Sequence, residues 1–241
     1  MCSLSFLPTK DGFHLLMNRD EQRTRAVASP PRLHACSGLS ALYPSEPSGG
    51  TWIGLNEKGL TVALINWYSK PQLESIPAFS RGEIIPRLLS SDTIGKAEAI
   101  LRDLPLSSLN PFRIFMVYGK EERLIEYRSD ALSMQVIIHP WERSHWFSSG
   151  YDEAWTATIR AQTCAEVLAD SKTDPAGLLR DLHRSHSPEK GPFSLCMHRE
   201  DACTVSFTEI TWKKGSATMA YQDGPPCHLS TTKVSQYLPY S

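Results

Sequence analysis

The chain has 241 residues, of which 41% are hydrophobic and 21% charged, and its formal net charge is −1. This composition is ordinary for a globular protein, and the balanced charge argues against a nucleic-acid or membrane-surface partner. No apolar stretch is long enough to span a bilayer, and residues 1–6 lack the basic flank and apolar core of a signal peptide. We therefore predict one domain, residues 1–241, in the cytoplasm. Nothing in the sequence sets its oligomeric state.

The first 67 residues are typical of two successive β-hairpins. The segment 9–12 (TKDG) separates the first two strands, and Asp-Gly is a favoured pair for a tight turn. The proline- and glycine-rich segment from Ser29 to Gly50 is predicted to be a loop. The predicted strands in this part are 2–7, 13–19, 51–55 and 60–67.

Helices follow, and strands return near the end of the chain. Ser80 and Glu83 form a capping-box pattern that predicts a helix start, and further helices are predicted from Ser91, Asp152 and Pro175. The later predicted strands are 113–119, 122–127, 131–139, 143–148, 203–209 and 216–221. Because strands and helices come in runs, the order favours an α+β fold of antiparallel sheets with helices packed outside.

Cys2 follows the initiator methionine, and methionine removal would expose a residue that carries both a thiol and an α-amine. That pair is the minimal equipment of an N-terminal nucleophile, because an amine of pKa about 8 can accept the thiol proton near neutral pH. A cysteine at position 2 can also occur by chance. Whether Cys2 is a nucleophile depends on which residue of the second strand lies opposite it.

The turn determines which residue lies opposite Cys2 on the second strand. A loop at Asp11-Gly12 places Glu21 opposite Cys2 with Arg19 diagonal to it, and a loop at Lys10-Asp11 places Arg19 directly opposite. A three-residue loop selects Asp20 instead. Since side chains alternate along a strand, Arg19 and Asp20 cannot both face Cys2 in a regular ladder. We predict that Arg19, whose charge would lower the thiol pKa, shares the face of Cys2. A bend at the strand end would let Asp20 join it.

Several short motifs resemble one family. Cys2 with Asn18-Arg19-Asp20-Glu21, the run Gly49-Gly50-Thr51-Trp52-Ile53-Gly54, Asn66, and Ser80-Arg81-Gly82-Glu83 are similar, in this order, to the NRDE family, also called the transport and Golgi organisation protein 2 family. Thr204-Val205 and Phe207-Thr208-Glu209 resemble a diverged form of its closing strand. The resemblance implies an N-terminal-nucleophile (Ntn) hydrolase fold, a four-layer αββα sandwich of two antiparallel sheets between helices. Its relatives include cysteine-type amidases and acyltransferases acting on bile-salt amides and penicillins.

The resemblance suggests a catalytic set of Cys2, Arg19, Asp20 and Asn66. Asn66 would donate its amide to an oxyanion, although an asparagine at a strand end can equally cap a turn. The relatives separate their Arg and Asp by more residues, so the role of Asp20 departs from their pattern. Ser149 stands where relatives often carry a second asparagine.

The candidate substrate-binding residues near the predicted strand ends are Trp52, Trp67, Tyr68, Ser149 and Arg199. The aromatic residues would wall an apolar pocket or simply belong to the core. Arg199 would be a second cation of the site, or a solvated loop charge beside Glu200 and Asp201.

Six scattered cysteines contain no CxxC pair, so we expect reduced thiols. Cys196 and His198 with Cys203 match no standard zinc spacing, and we predict no metal site and no cofactor.

Two functions remain open. The first is a hydrolase or acyltransferase whose Cys2 attacks an amide or related acyl compound. The second, implied by the resemblance, is a non-catalytic protein that binds or traffics haem, lipid or acyl-CoA. No CxxCH signature supports a haem protein.

Overall fold

The computed structural model describes residues 2–73, 80–169, 174–228 and 233–239, and these contain two antiparallel sheets. The first sheet has six strands in the order β10-β1-β2-β11-β12-β13, and the second is a seven-stranded meander from β3 to β9. The strands are β1 Cys2–Thr9, β2 Gly12–Gln22, β3 Ser29–Cys36, β4 Leu39–Ser45, β5 Ile53–Asn56, β6 Leu60–Asn66, β7 Phe112–Tyr118, β8 Arg123–Ser129, β9 Met134–His139, β10 Ser144–Ser148, β11 Ala202–Lys213, β12 Ser216–Asp223 and β13 Lys233–Pro239.

Three separate apolar clusters show that the molecule has four layers. One cluster fills the space between the inner faces of the two sheets. A second joins the second sheet to the first two helices, and a third joins the first sheet to the last two. The helices are α1 Ile84–Leu88, α2 Ile94–Arg102, α3 Glu153–Ala169 and α4 Pro175–Arg184. The predicted α+β fold, an αββα sandwich, is confirmed.

The β1–β2 hairpin turns at Lys10-Asp11, since Thr9 pairs with Gly12. Gly12 is therefore not a turn residue but the first residue of β2. A Cβ atom there would lie 2.0 Å from the carbonyl oxygen of Trp212 on β11. The absence of a side chain at Gly12 thus allows β11 to approach its neighbour β2 closely in the middle of the first sheet.

The predicted loop from Ser29 to Gly50 is wrong over most of its length, because β3 and β4 lie within it. Pro30 and Pro31 suggested a loop, but β3 is an edge strand whose register shifts between Ser29 and Arg32. Proline is tolerated at such an edge, because its missing N–H breaks no ladder in the sheet interior.

The capping box at Ser80 forms as predicted. The Ser80 hydroxyl accepts from the Gly82 N–H at 3.3 Å, and the Glu83 carboxylate accepts from the Ser80 N–H at 3.1 Å. A short 3-10 turn over Arg81–Glu83 leads into α1. No helix within the described ranges is long and apolar enough to cross a membrane.

Candidate functional site

A cavity of about 470 Å³ opens where β1 begins and β2 ends. It is lined by strands of both sheets and by the loops that follow β2, β4 and β6. Its lining residues are Cys2, Arg19, Asp20, Glu21, Gln22, Arg25, Glu46, Thr51, Trp52, Leu64, Asn66, Tyr68, Ser80, Arg81, Gly82, Gly150, Arg199 and Asp201.

Cys2 is held in the sheet on both sides, paired with Arg19 of β2 and with Ser148 of β10. The register confirms that Arg19 lies directly opposite Cys2. Burial raises the pKa of the Cys2 thiol, and a hydrogen bond from the backbone of Asp20 opposes that rise. The thiol is therefore protonated at neutral pH, and a nucleophilic role needs a group that accepts its proton. Met1 lies outside the described residues.

Arg19 is fixed by three groups on the inner side of the first sheet. Its guanidinium donates to the carboxylate of Glu46, which also accepts from Arg25 at 2.7 Å. The same guanidinium lies 4.3 Å from the ring centroid of Trp52 and 3.6 Å from Glu21. Because a carboxylate and an aromatic face both hold it, the planar group has one orientation in the cavity wall.

Asp20 points to the opposite face of β2, as strand alternation requires. Its carboxylate accepts from the Thr204 hydroxyl at 2.7 Å and lies 3.6 Å from the guanidinium of Arg160 in α3. Arg160 also donates to the Ser3 hydroxyl at 2.9 Å. The Asp20 carboxylate thus faces α3, and Asp20 also borders the cavity, where its backbone hydrogen-bonds the Cys2 thiol.

Two glycines position the opposite wall of the cavity. Gly50 and Gly82 are so close that a Cβ on Gly50 would lie 3.2 Å from the carbonyl carbon of Gly82. The Thr51 N–H donates to the Gly82 carbonyl at 2.9 Å. This contact places Arg81, which donates to the Pro111 carbonyl at 2.9 Å, at the cavity.

Arg81 and Arg160 are arginines whose guanidinium groups interact electrostatically with the Cys2 thiol. Burial lowers the pKa of Arg81, while the charges of Tyr68, Glu21 and Cys2 oppose that shift. The side-chain amide of Asn66 donates to the Tyr68 hydroxyl at 2.8 Å, so both of these residues face the cavity as one hydrogen-bonded pair.

The structure brings most of the predicted site residues to this cavity. Those that line it are Cys2, Arg19, Asp20, Trp52, Asn66, Tyr68 and Arg199. Trp67 and Ser149 do not line it. Trp67 lies against Lys70, 5.0 Å from ring centroid to ammonium, and the Ser149 hydroxyl is engaged in a local turn with Tyr151.

Sequence reasoning missed Glu46, Arg81 and Arg160. Glu46 lies in the segment predicted to be a loop, and Arg160 lies inside a helix, where nothing marks it as buried. Arg81 had a signal, since it belongs to a family motif that we used only to predict a helix start. The histidine and cysteine side chains that could ligate a metal together, within the described part of the chain, lie outside this cavity.

Comparisons with known proteins agree with this fold. The model of the Transport and Golgi organisation 2 family matches residues 1–213. A crystal structure of the C2A mutant of a conjugated bile acid hydrolase from Clostridium perfringens superposes with a TM-score of 0.55 at 13% identity, covering 100% of this chain and 97% of that one. Penicillin V acylase from Agrobacterium tumefaciens gives 0.55 at 12% identity, covering 98% and 85%. No curated protein sequence matches.

Proposed function

The chain belongs to the Transport and Golgi organisation 2 family, and from that membership and the cavity we propose that it is an N-terminal-cysteine hydrolase or acyltransferase. The observation that carries the proposal is the register that sets Cys2 opposite Arg19 at the wall of a charged cavity. The substrate class is an amide or a related acyl compound such as a thioester.

The reaction needs Met1 to be removed, so that the α-amine of Cys2 can take the proton of its own thiol. Cys2 Sγ then attacks the substrate carbonyl carbon, and a C–S bond forms as the carbonyl oxygen becomes an oxyanion. The oxyanion collapses, the bond to the leaving amine or thiol breaks, and the α-ammonium returns the proton to that leaving group. Water or an acyl acceptor then attacks the thioester and regenerates the thiol.

The cavity supplies groups for each charge that develops. Asn66 offers an amide N–H, and Arg81 offers a half-buried cation at the wall of the same cavity. Donors preorganised in a buried site are worth several kcal/mol to an oxyanion, about 3 for a single donor. Arg19, held by Glu46 and Trp52, would orient a carboxylate or carbonyl on the substrate beside the thiol.

The first test compares Cys2 alkylation by iodoacetamide in untagged protein with and without Met1, with intact mass establishing which form is present. With Met1 retained, burial keeps the thiol protonated, so the rate at Cys2 should be low at pH 7 and rise only at high pH. The processed form should react at least about tenfold faster at pH 7, because its amine, of pKa about 8, accepts the proton. Cys36 is an internal control, since it is also buried with a raised pKa.

The second test is turnover by the processed protein, with a conjugated bile acid, penicillin V and an acyl thioester as probes. Cys2→Ala should lower turnover at least about 10³-fold, as loss of a nucleophile does, while Cys36→Ser should leave it unchanged. A processed Cys2 that reacts no faster than Cys36 would overturn the proposal. Turnover that survives in Cys2→Ala would also overturn it. An unreactive Cys2 without turnover would direct attention to binding of haem or acyl-CoA.

A further inference from the structure

A second cluster of reactive side chains lies away from the cavity, beside the start of β11. It consists of His186, which follows α4, Cys196 and His198 in the segment before β11, and Cys227 after β12. One ligand atom from each of these four residues lies within 4.8 Å of all the others. Cys196 is fully buried, and the other three residues are half-buried.

The two distances from His198 to the thiols match those around a tetrahedral zinc ion. His198 Nε2 lies 3.5 Å from Cys196 Sγ and 3.4 Å from Cys227 Sγ. Zn–S bonds of about 2.3 Å and Zn–N bonds of about 2.0 Å at tetrahedral angles would separate sulfur and nitrogen by about 3.5 Å. Two thiols and two imidazoles form a ligand set that favours zinc over calcium or magnesium.

His186 provides an independent indication. Its Nε2 atom is buried and has no hydrogen-bond partner among the described residues. Its ring lies 5.0 Å from that of His198, at an angle of 74°. A buried imidazole nitrogen without a partner has a desolvation cost that metal coordination would remove.

We propose that His186, Cys196, His198 and Cys227 bind a structural Zn²⁺ ion. With four protein ligands the site is closed, and it leaves no open position for catalysis. This proposal reverses our sequence-based prediction of no metal. That prediction considered Cys203, which pairs through its backbone with His198 but does not belong to the four, whereas the fold adds His186 from the same connection and Cys227 from beyond β12.

The ion would fasten the segment that connects α4 to β11 and leads to Arg199 at the cavity. Next to Cys196, the Met197 N–H donates to the Thr204 hydroxyl at 2.8 Å, and that hydroxyl donates to Asp20 at 2.7 Å. Two hydrogen bonds thus connect the cluster to the layer directly behind Cys2. The ion would therefore hold the back of the cavity as well as the connection itself.

The test begins with metal analysis of full-length protein purified under reducing conditions. We expect one Zn²⁺ per chain. Adding Co²⁺ to the zinc-free protein should give the visible bands of tetrahedral cobalt and a thiolate charge-transfer band. Both measurements use the wild-type chain, so they remain decisive if a ligand variant fails to fold.

Cys227→Ser should lower zinc affinity at least about tenfold, since even outer-shell partners of metal ligands are worth that much. Cys203→Ser is the matched control, because this thiol is near the cluster but outside it, and it should retain the ion. Reduced wild-type protein that binds neither Zn²⁺ nor Co²⁺ would overturn the proposal. Equal zinc affinity in Cys227→Ser and the control, or a Cys196–Cys227 disulfide in freshly purified protein, would also overturn it.

Discussion

The two interfaces between helices and sheets are built from different chemistry. Helices α1 and α2 pack on the second sheet through a large apolar cluster that includes Ile85, Leu88 and Leu101. The buried polar side chain of Asn56 adds hydrogen bonds to the backbone carbonyls of Leu89 and Ser91 at the end of α1. Helices α3 and α4 pack on the first sheet through a smaller apolar cluster together with buried polar groups. Arg160, His183 and Asn18 are among these groups, and each is at most 1% exposed.

The polar groups of the second interface are joined by hydrogen bonds. The Ser5 hydroxyl lies 2.8 Å from a ring nitrogen of His183 and 2.8 Å from one of His145. The Asn18 side chain donates to the backbone carbonyls of His183 and Leu195 at 2.9 and 2.8 Å. Ser5 on β1 and Asn18 on β2 each neighbour, along their strand, residues that face the cavity or the core between the sheets.

The difference between the two interfaces shows that one contributes mainly stability and the other mainly a fixed geometry. Apolar burial stabilises a layer without fixing each side chain, whereas a satisfied buried network costs desolvation but specifies one arrangement. The network lies behind Cys2 and Arg19, where a small shift of β1 or β2 would move the site. The apolar interface lies on the far side of the second sheet.

The largest loss of unfolding free energy is expected from a substitution in the polar interface. Arg160→Met leaves the buried carboxylate of Asp20 without its cation, and it should lower the free energy of unfolding by about 3–5 kcal/mol. Urea unfolding measures the change. Arg102→Met is the control, because this arginine makes an exposed pair with Glu98 worth at most about 0.5 kcal/mol. Equal losses in the two variants would contradict the assigned role of Arg160.

The apolar interface should respond to volume and not to pH. Leu88→Ala removes a fully buried side chain in α1, and about 3 kcal/mol of unfolding free energy should be lost. The loss should be the same at pH 5 and pH 7, since the packing cluster around Leu88 contains no group that titrates in this range. A loss that changes by more than about 1 kcal/mol between the two pH values would argue against this account.

Mild acid should destabilise the polar interface and not the apolar one. Burial lowers the pKa of His183 to about 3 and that of His145 to about 4. The unfolded chain therefore binds protons below about pH 6.5 that the folded chain does not, and stability present above that pH is lost as the pH falls toward 3.

For His183 alone, the loss between pH 7 and pH 5 should be about 2 kcal/mol, and His183→Gln should reduce the wild-type acid loss by that amount. Hydrogen exchange should show α3 and α4 opening before α1 and α2. An unchanged pH dependence in His183→Gln would show that this imidazole is not the group responsible.

The sequence predicted the strands better than the site. The hairpins at β1–β2 and β5–β6, the helix start at Ser80, and the helix from Pro175 follow from local patterns of apolar residues, turns and caps. The register at Cys2 needed the exact turn, and the sequence left three alternatives because Asp-Gly suggests one loop while the chain adopts another.

The rest of the site depends on contacts between distant segments. Glu46 meets Arg19 only when the two sheets pack together, and Arg160 meets Asp20 only when α3 docks on the first sheet. Three residues of the proposed zinc site lie in the connection between α4 and β11, and the fourth, Cys227, lies after β12. Local sequence patterns do not predict contacts between distant segments, so a single sequence does not reveal them.

Gly12 has a consequence for how this protein tolerates change. A glycine in a left-handed turn can often be replaced by asparagine, because the constraint there is backbone handedness. At Gly12 the constraint is the space next to the Trp212 carbonyl, so alanine is as unsuitable as asparagine. The dipeptide Asp11-Gly12 suggests a turn, but its glycine is needed for a different reason. It allows two central strands of the first sheet to approach each other closely.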